Sequence, residues 1–270
     1  MIEYLKQQVA SEQMQEAKIN KLREELQLLC LKIINDRGYF SQLAFVGGTA
    51  LRVIYDMRRF SEDLDFSSVD KANYNFNNII QAMEYEIKLN GLTLELKTKT
   101  QKTVQSSMLR FPGLLKAIGV ANLDNQKLSI KFEVDSNPPK GADLENSVVN
   151  KSYLLNITHY TLPSLFAGKL HACFFRGFIK GRDFYDFLWY LGKGVMPNLS
   201  LLNNAIKQTQ GQDLLITKEN IGEFISQRLT DIDFQAVQKD VGRFLEDKSE
   251  IKLLNKDVML NAVKQCFNEK

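Results

Sequence analysis

The stretch FVGGTALRVIYDMRRFSEDLDFSS, residues 45–68, constrains the fold more than any other part of this 270-residue chain. It begins as an apolar strand that enters two glycines, and TALRVIYDMRR then has the pattern of a helix with Thr49 in its first turn. The segment DLDFSS alternates, which places Asp63 and Asp65 on one face of a strand and apolar side chains on the other. This order of strand, glycine turn, helix and second strand predicts an α/β fold.

The other patterns divide the chain into an α/β half and a helical half. Residues 2–37 have the periodicity of one N-terminal helix, and three alternating segments within 92–135 predict an antiparallel extension of the sheet. The Pro- and Gly-containing stretch at 137–147 predicts a loop, and every later pattern is helical. We therefore predict an α/β domain over 1–158 and an all-helical C-terminal domain over 159–270.

Charge and cysteine content exclude little but favour one cellular compartment. The net charge of +3 does not require a nucleic-acid partner. Between residues 97 and 151, however, there are nine Lys or Arg and only five Asp or Glu. Such a bias suits a polyanionic ligand, although solvated strand faces commonly carry lysines. The three cysteines have no metal-ligand or redox spacing, and no apolar run approaches the length of a membrane span. These features predict a cytoplasmic protein without membrane contact.

The paired aspartates predict a metal site. Two unpaired carboxylates a few ångströms apart repel each other and raise each other's pKa unless a cation lies between them. Mg²⁺ prefers carboxylate oxygens and keeps coordination positions open for phosphate, and Mn²⁺ is the natural substitute. The alternative is a solvated strand end in which Asp63 and Asp65 pair with Arg58 or Arg59.

The sequence VGGT predicts a phosphate-binding turn. Glycines after a strand let backbone N–H groups approach an anion, and a helix that begins there directs its positive end towards it. Thr49 adds a hydroxyl donor. A plain strand-to-helix turn would explain VGGT alone, but the combination with Asp63 and Asp65 on the next strand favours a phosphate site beside a metal site.

The blocks GGTALR and RFSEDLDF together resemble the signature of the DNA polymerase beta-type nucleotidyltransferase superfamily, and their finer form looks like the AbiEii/AbiGii toxin family, which includes the MenT toxins. Thr49 stands where a serine is common. The resemblance implies a mixed sheet flanked by helices and followed by a helical half. It assigns nucleotide binding to Gly47, Gly48 and Thr49, and metal binding and catalysis to Asp63 and Asp65.

Two further blocks match the same family. In SIKFEVD the resemblance implies that Glu133 is a third carboxylate, in catalysis and metal binding, with Asp135 as a rival. In GKLHACFFRGFIKGRDFYDF it implies that Lys169 and Asp183 act in catalysis, and that Lys169 and Arg182 contact the nucleotide. The alternative for the second block is a structural ion pair, Arg176 with Asp183 or Arg182 with Asp186, that joins two helices.

The resemblance implies a toxin that transfers NMP from an NTP to an acceptor hydroxyl, on RNA such as tRNA, with Mg²⁺ or Mn²⁺ and with a separately encoded antitoxin as partner. A small-molecule nucleotidyltransferase would share the whole site and differ in its acceptor. A glycosyltransferase would use the paired aspartates without the glycine turn. A binding module that has lost activity would not need the intact pair.

Overall fold

The computed structural model describes residues 1–121, 126–211 and 214–267, in which the chain forms two compact units. Unit 1 comprises Met1–Pro138 and Glu145–His159, and unit 2 comprises Pro139–Leu144 and the chain from Tyr160 onward. Asp124, one acid of the basic stretch, lies outside the described residues. The division into domains 1–158 and 159–270 stays a prediction.

Unit 1 contains a sheet and its helices. In chain order its elements are α1 (Ile2–Val9), α2 (Gln15–Asp36), a 3₁₀ turn (Tyr39–Ser41), β1 (Leu43–Val46), α3 (Gly47–Tyr55), β2 (Asp63–Ser68), α4 (Phe76–Leu89), β3 (Glu95–Lys99), β4 (Val104–Phe111), α5 (Leu114–Ala117), β5 (Leu128–Asp135), β6 (Leu144–Asn150) and β7 (Leu154–Tyr160).

The seven strands formed by the described residues make one mixed sheet in the order β3-β4-β5-β2-β1-β7-β6. Strand β2 is antiparallel to β1 and parallel to β5, and β1 is parallel to β7. Strands β3, β4 and β5 pair antiparallel, as the alternating segments predict. The fold class predicted from the sequence is therefore confirmed, and β2 lies at the centre of the sheet.

One face of this sheet is the core of unit 1. Phe66 on β2 packs between Phe45 on β1 and Phe132 on β5, with ring centroids 5.2 and 5.0 Å away, and all three side chains are buried. Helices α2 and α4 supply further buried side chains, including Ile79 and Met83. The opposite face of β2 and β5 carries half-exposed polar residues. This face, which we call the open face, is accessible to a ligand.

Two details of the predicted secondary structure are wrong. The N-terminal helix is broken, because α1 turns back on α2: Leu5 and Val9 are buried, and the Tyr4 hydroxyl donates to a Glu25 oxygen at 2.8 Å. The predicted loop at 137–147 gives way to β6 from Leu144, and β6 and β7 complete the sheet. Six of the seven residues of β6 are not buried. A strand with so little buried surface needs no alternation of apolar and polar residues, and the sequence of β6 has none that is clear.

Unit 2 is helical. Its helices are α6 (Leu162–Phe175), α7 (Gly181–Gly192), α8 (Leu199–Gln210), α9 (Ile221–Leu229), α10 (Phe234–Val241) and α11 (Lys256–Phe267), with 3₁₀ segments at Gly242–Phe244 and Lys248–Leu253. Aromatic side chains join α6 to α7, and the rings of Phe166 and Tyr190 stack at 4.4 Å. In the part of the chain that the structure describes, no helix has the length and apolar character needed to cross a bilayer.

Candidate active site

The two aspartates lie on the open face of the central strand. Along β2, Asp63 and Asp65 are half-buried while Leu64 and Phe66 are buried, so the alternation expected of DLDF is present. Because the apolar side chains are fixed in the core, a slip by one residue would bury both carboxylates. The packing of β2 therefore fixes the direction of both acidic side chains.

The first glycine of the turn accommodates the second aspartate. Gly47 has a φ of +78°, which favours glycine, and it is the first residue of α3. A Cβ at Gly47 would lie 2.5 Å from Oδ2 of Asp65. The carboxylate therefore rests against the N-terminus of α3, where the helix dipole favours negative charge. The glycine turn and the acidic strand therefore meet at this point of unit 1.

The second glycine accommodates a buried cation. A Cβ at Gly48 would lie 2.4 Å from Nη2 of Arg59, whose side chain is among the largest fully buried ones and is 2% exposed as a residue. Its Nη1 donates to the carbonyl oxygen of Phe60 at 3.0 Å. A guanidinium in this position offsets negative charge near the turn. From the sequence, Arg59 is predicted only as a possible partner of the aspartates, and its position in RFSEDLDF is the one sequence signal for a larger role.

Thr49 is buried, and its hydroxyl donates to the backbone carbonyl oxygen of Asp63. This contact differs from the phosphate contact that the motif predicts for the hydroxyl. The bond ties the first turn of α3 to the start of β2, and so it positions the first aspartate.

The register of β2 and β5 distinguishes the two candidates for the third carboxylate. Glu133 lies directly beside Asp65, whereas Asp135 lies beside Ser67, two residues further along. Glu133 pairs with the ammonium of Lys131 at 2.7 Å. Burial raises the pKa of Asp135 above its ordinary value, although the Asn137 backbone N–H and the charge of Lys71 act to lower it. The register therefore favours Glu133 as the neighbour of the aspartate pair.

The donor set suits a hard divalent cation whose coordination is completed by substrate. Across the described ranges, no three His, Cys, Asp or Glu side chains are grouped as a ready-made metal-ligand set. Asp63 and Asp65 nevertheless present oxygen ligands from one strand face, with Glu133 on the next strand. Mg²⁺ is commonly held by one or two carboxylates plus substrate phosphates, so these residues fit it.

In unit 2, Lys169 and Asp183, which the family resemblance assigns to catalysis, belong to a buried ion cluster. The ammonium of Lys169 lies 2.7 Å from Asp183 and 2.8 Å from Asp186, and Arg176 contacts Asp183 at 2.9 Å. Lys169 and both aspartates have side chains no more than 10% exposed. The cluster contains the predicted Arg176–Asp183 ion pair, and it joins α6 to α7.

Arg182, predicted to contact the nucleotide, has its guanidinium 4.3 Å from the ring centroid of Phe244. The buried Cys173 thiol lies near the same ion cluster, and burial followed by the Asp183 charge raises its pKa well above the ordinary value. A protonated, buried thiol is unsuited to nucleophilic chemistry, and Cys30 and Cys266 are free and buried as well.

Comparison with known proteins points to one family. A family model described as the nucleotidyl transferase AbiEii toxin of a type IV toxin–antitoxin system matches residues 29–267. The chain is also similar in fold to two solved structures: a nucleotidyltransferase described as putative from H. pylori (22% identity, TM-score 0.54) and JHP933 from Helicobacter pylori (21%, 0.53). The matches cover 92% of this chain, and 95% and 92% of those chains. No curated protein matches the sequence.

Proposed function

The chain belongs to the AbiEii nucleotidyl transferase toxin family, and from this premise we propose that it transfers NMP from an NTP to an acceptor hydroxyl on RNA such as tRNA. Family membership makes it a nucleotidyltransferase toxin of the type IV toxin–antitoxin class. The divalent metal, the NTP and the RNA acceptor are the proposed refinement.

The observation that carries this proposal is the contact between the two motifs. The carboxylate of Asp65 lies close against Gly47, the first residue of α3, where a Cβ would be 2.5 Å from its Oδ2. An NTP needs backbone N–H groups for its terminal phosphates and carboxylates for the cation that accompanies them. Both requirements meet at this point of unit 1.

Each residue of unit 1 has a proposed task. Asp63 and Asp65 would hold Mg²⁺ or Mn²⁺, which supplies neutralisation of the triphosphate charge when bound. The backbone N–H groups of Gly47 and Gly48 bind the terminal phosphates. Glu133, beside Asp65, accepts the proton as the acceptor oxygen bonds to the α-phosphorus and pyrophosphate leaves.

Two buried residues support this arrangement without touching the substrate. Thr49 holds the carbonyl of Asp63 through its hydroxyl. Arg59 lies against Gly48 and supplies a fixed positive charge behind the turn. Their burial leaves positioning as the role that we assign to both.

The tasks that the resemblance assigns to Lys169, Asp183 and Arg182 stay predictions. Two carboxylates bind the ammonium of Lys169, so a phosphate contact would require the ammonium to exchange partners. Such exchange has precedent in the chemistry, because a phosphate oxygen offers lysine the same charge-assisted hydrogen bond as a carboxylate.

We also propose a cytoplasmic location and a separately encoded antitoxin as partner. The three cysteines are free and buried, which suits a reducing compartment. A type IV family name supports an antitoxin encoded apart from this chain.

The function is tested by incubating the full chain with Mg²⁺, each α-labelled NTP in turn, and total RNA. We expect label from one or more NTPs to appear on RNA, and Asp65→Ala to abolish it. Transfer to a small hydroxylated compound with none to RNA would replace the RNA acceptor by a small molecule. Growth arrest on induction of the wild type that persists in Asp65→Ala would contradict nucleotidyl transfer as the cause of toxicity.

A further inference from the structure

The open face of the sheet continues from the aspartates to the edge strand in two rows of side chains. Strand register places Asp65, Glu133, Ser106 and Lys99 side by side across β2, β5, β4 and β3. Adjacent strands lie about 4.8 Å apart, so the lysine backbone is about 14 Å from that of the aspartate. The row leads directly from the proposed catalytic carboxylates to a cation.

The second row has the same form, with Asp63, Lys131, Met108 and Lys97 side by side. Arg110 lies next to Met108 on the same face of β4, since it is two residues further along the strand. Lys97 and Lys99 are exposed, and Arg110 is half-buried. These three cations lie on the open face of the antiparallel β3–β4 hairpin, further from the centre of the sheet than Asp63 and Asp65. We call Lys97, Lys99 and Arg110 the hairpin cations.

One acid lies among the hairpin cations: Glu95 is directly across from Arg110 in the register of β3 and β4, and its carboxylate pairs with Lys127 at 2.7 Å. Within the described residues, no carboxylate lies within 4.0 Å of any of the three, whereas the neighbouring Lys127 and Lys131 pair with Glu95 and Glu133. With Lys127, the surface carries four cations against the single acid Glu95, and this excess creates a positive potential. That potential is complementary to a polyanion rather than to a neutral acceptor.

Protection of the sheet edge is the competing explanation. Strand β3 is an edge strand, and lysines on edge strands discourage pairing with other chains. This accounts for Lys97 and Lys99. It does not account for Arg110, because β4 is paired on both sides by β3 and β5.

We propose that the hairpin cations bind the phosphodiester backbone of a single RNA strand and lead its reacting hydroxyl to Asp63 and Asp65. The inference rests on the proposed function and adds to it the surface that holds the acceptor. Each cation contacts one phosphate of the RNA, so RNA binding at the β3–β4 hairpin does not depend on the base sequence. Selection of the acceptor then depends on contacts elsewhere.

Binding of a fluorescently labelled single-stranded RNA oligonucleotide tests the surface without any NTP. For single strands, the slope of log K against log salt concentration changes by about 0.7 for each phosphate contact. We expect Lys97→Gln with Lys99→Gln to reduce the slope by about 1.4, and Arg110→Gln to reduce it by a further 0.7 or so. The same variants raise the KM for RNA in the transfer assay.

Two controls separate a failure of this surface from a failure of the proposed function. Lys252→Gln with Lys264→Gln removes two exposed lysines from unit 2 and makes the same change in net charge, and we expect it to leave the slope unchanged. NTP binding in the presence of Mg²⁺ is expected to remain at the wild-type level in all hairpin variants. If the hairpin variants transfer nucleotide to RNA with an unchanged salt slope and an unchanged KM, the hairpin cations do not bind RNA. The proposed function would stand in that case. A wild-type chain that binds no RNA would overturn the surface outright.

Discussion

Replacement of Gly47 by alanine is the sharpest local perturbation of the candidate site. Alanine at a φ of +78° costs about 1–2 kcal/mol in backbone strain. The new Cβ would also lie 2.5 Å from Oδ2 of Asp65, whereas ordinary contact begins at 3.4 Å. Relief requires the carboxylate to move by about 0.9 Å, and misplacement of a reacting group by about 1 Å costs about 100-fold in rate. We therefore expect Gly47→Ala to transfer nucleotide about 100-fold more slowly.

Gly91→Ala is the matched control, because Gly91 has a φ of +75° and no heavy atom within 4 Å of a built Cβ. Gly91→Ala should lose only the stability that the backbone strain costs in urea denaturation, and Gly47→Ala should lose at least as much because of its added contact with Asp65. Only Gly47→Ala should lose rate in a single-turnover assay with saturating labelled NTP. If Gly47→Ala transfers nucleotide as fast as Gly91→Ala, the Asp65 carboxylate is not positioned by the turn.

Three further predictions concern stability and reactivity. Although burial raises the pKa of Glu24, the hydrogen bonds and charges of Arg52 and Lys21 together outweigh it and lower the pKa below the ordinary value. Glu24→Gln should therefore cost about 1–3 kcal/mol at neutral pH, and the difference from wild type should shrink as pH falls below about 4 in denaturation curves. Burial raises the pKa of Cys30 to about 12, so mass spectrometry should find it alkylated by iodoacetamide only after unfolding, and native modification would contradict its burial. A Cβ at Gly181 would lie 2.2 Å from the carbonyl oxygen of Val237, so Gly181→Ala should destabilise the chain by about 1–3 kcal/mol in urea; unchanged stability would mean that α7 can move away from α10.

The sequence predicted the parts of the fold that depend on local pattern. Alternation in DLDF and in the segments of β4 and β5 corresponds to strands with one buried face, and the alternating segment of β3 forms a strand although none of its residues is buried. The sequence does not predict β6, because an edge strand with only one buried residue, Val149, has little hydrophobic pattern to detect. The break after Val9 was missed because α1 packs on α2, a tertiary contact that periodicity does not contain.

The site shows the same division. That Asp63 and Asp65 share a face follows from a period of two, and their pairing with the glycine turn was suggested by motif order. The burial of Arg59 against Gly48 depends on how the chain returns after α3, and no local pattern indicates it. Likewise, only the structure shows that the Thr49 hydroxyl bonds to the Asp63 carbonyl.

The most direct test is the binding of Mn²⁺ with a non-hydrolysable NTP analogue, followed by electron paramagnetic resonance. We expect the wild type to bind the pair together, and Asp63→Asn and Asp65→Asn each to lose binding by at least about 10-fold, equivalent to about 1.4 kcal/mol. Asp56→Asn is the control, because asparagine tolerates the left-handed backbone found there. Equal binding of Mn²⁺ and nucleotide by wild type, Asp63→Asn and Asp65→Asn would contradict a metal–nucleotide site built on these two aspartates.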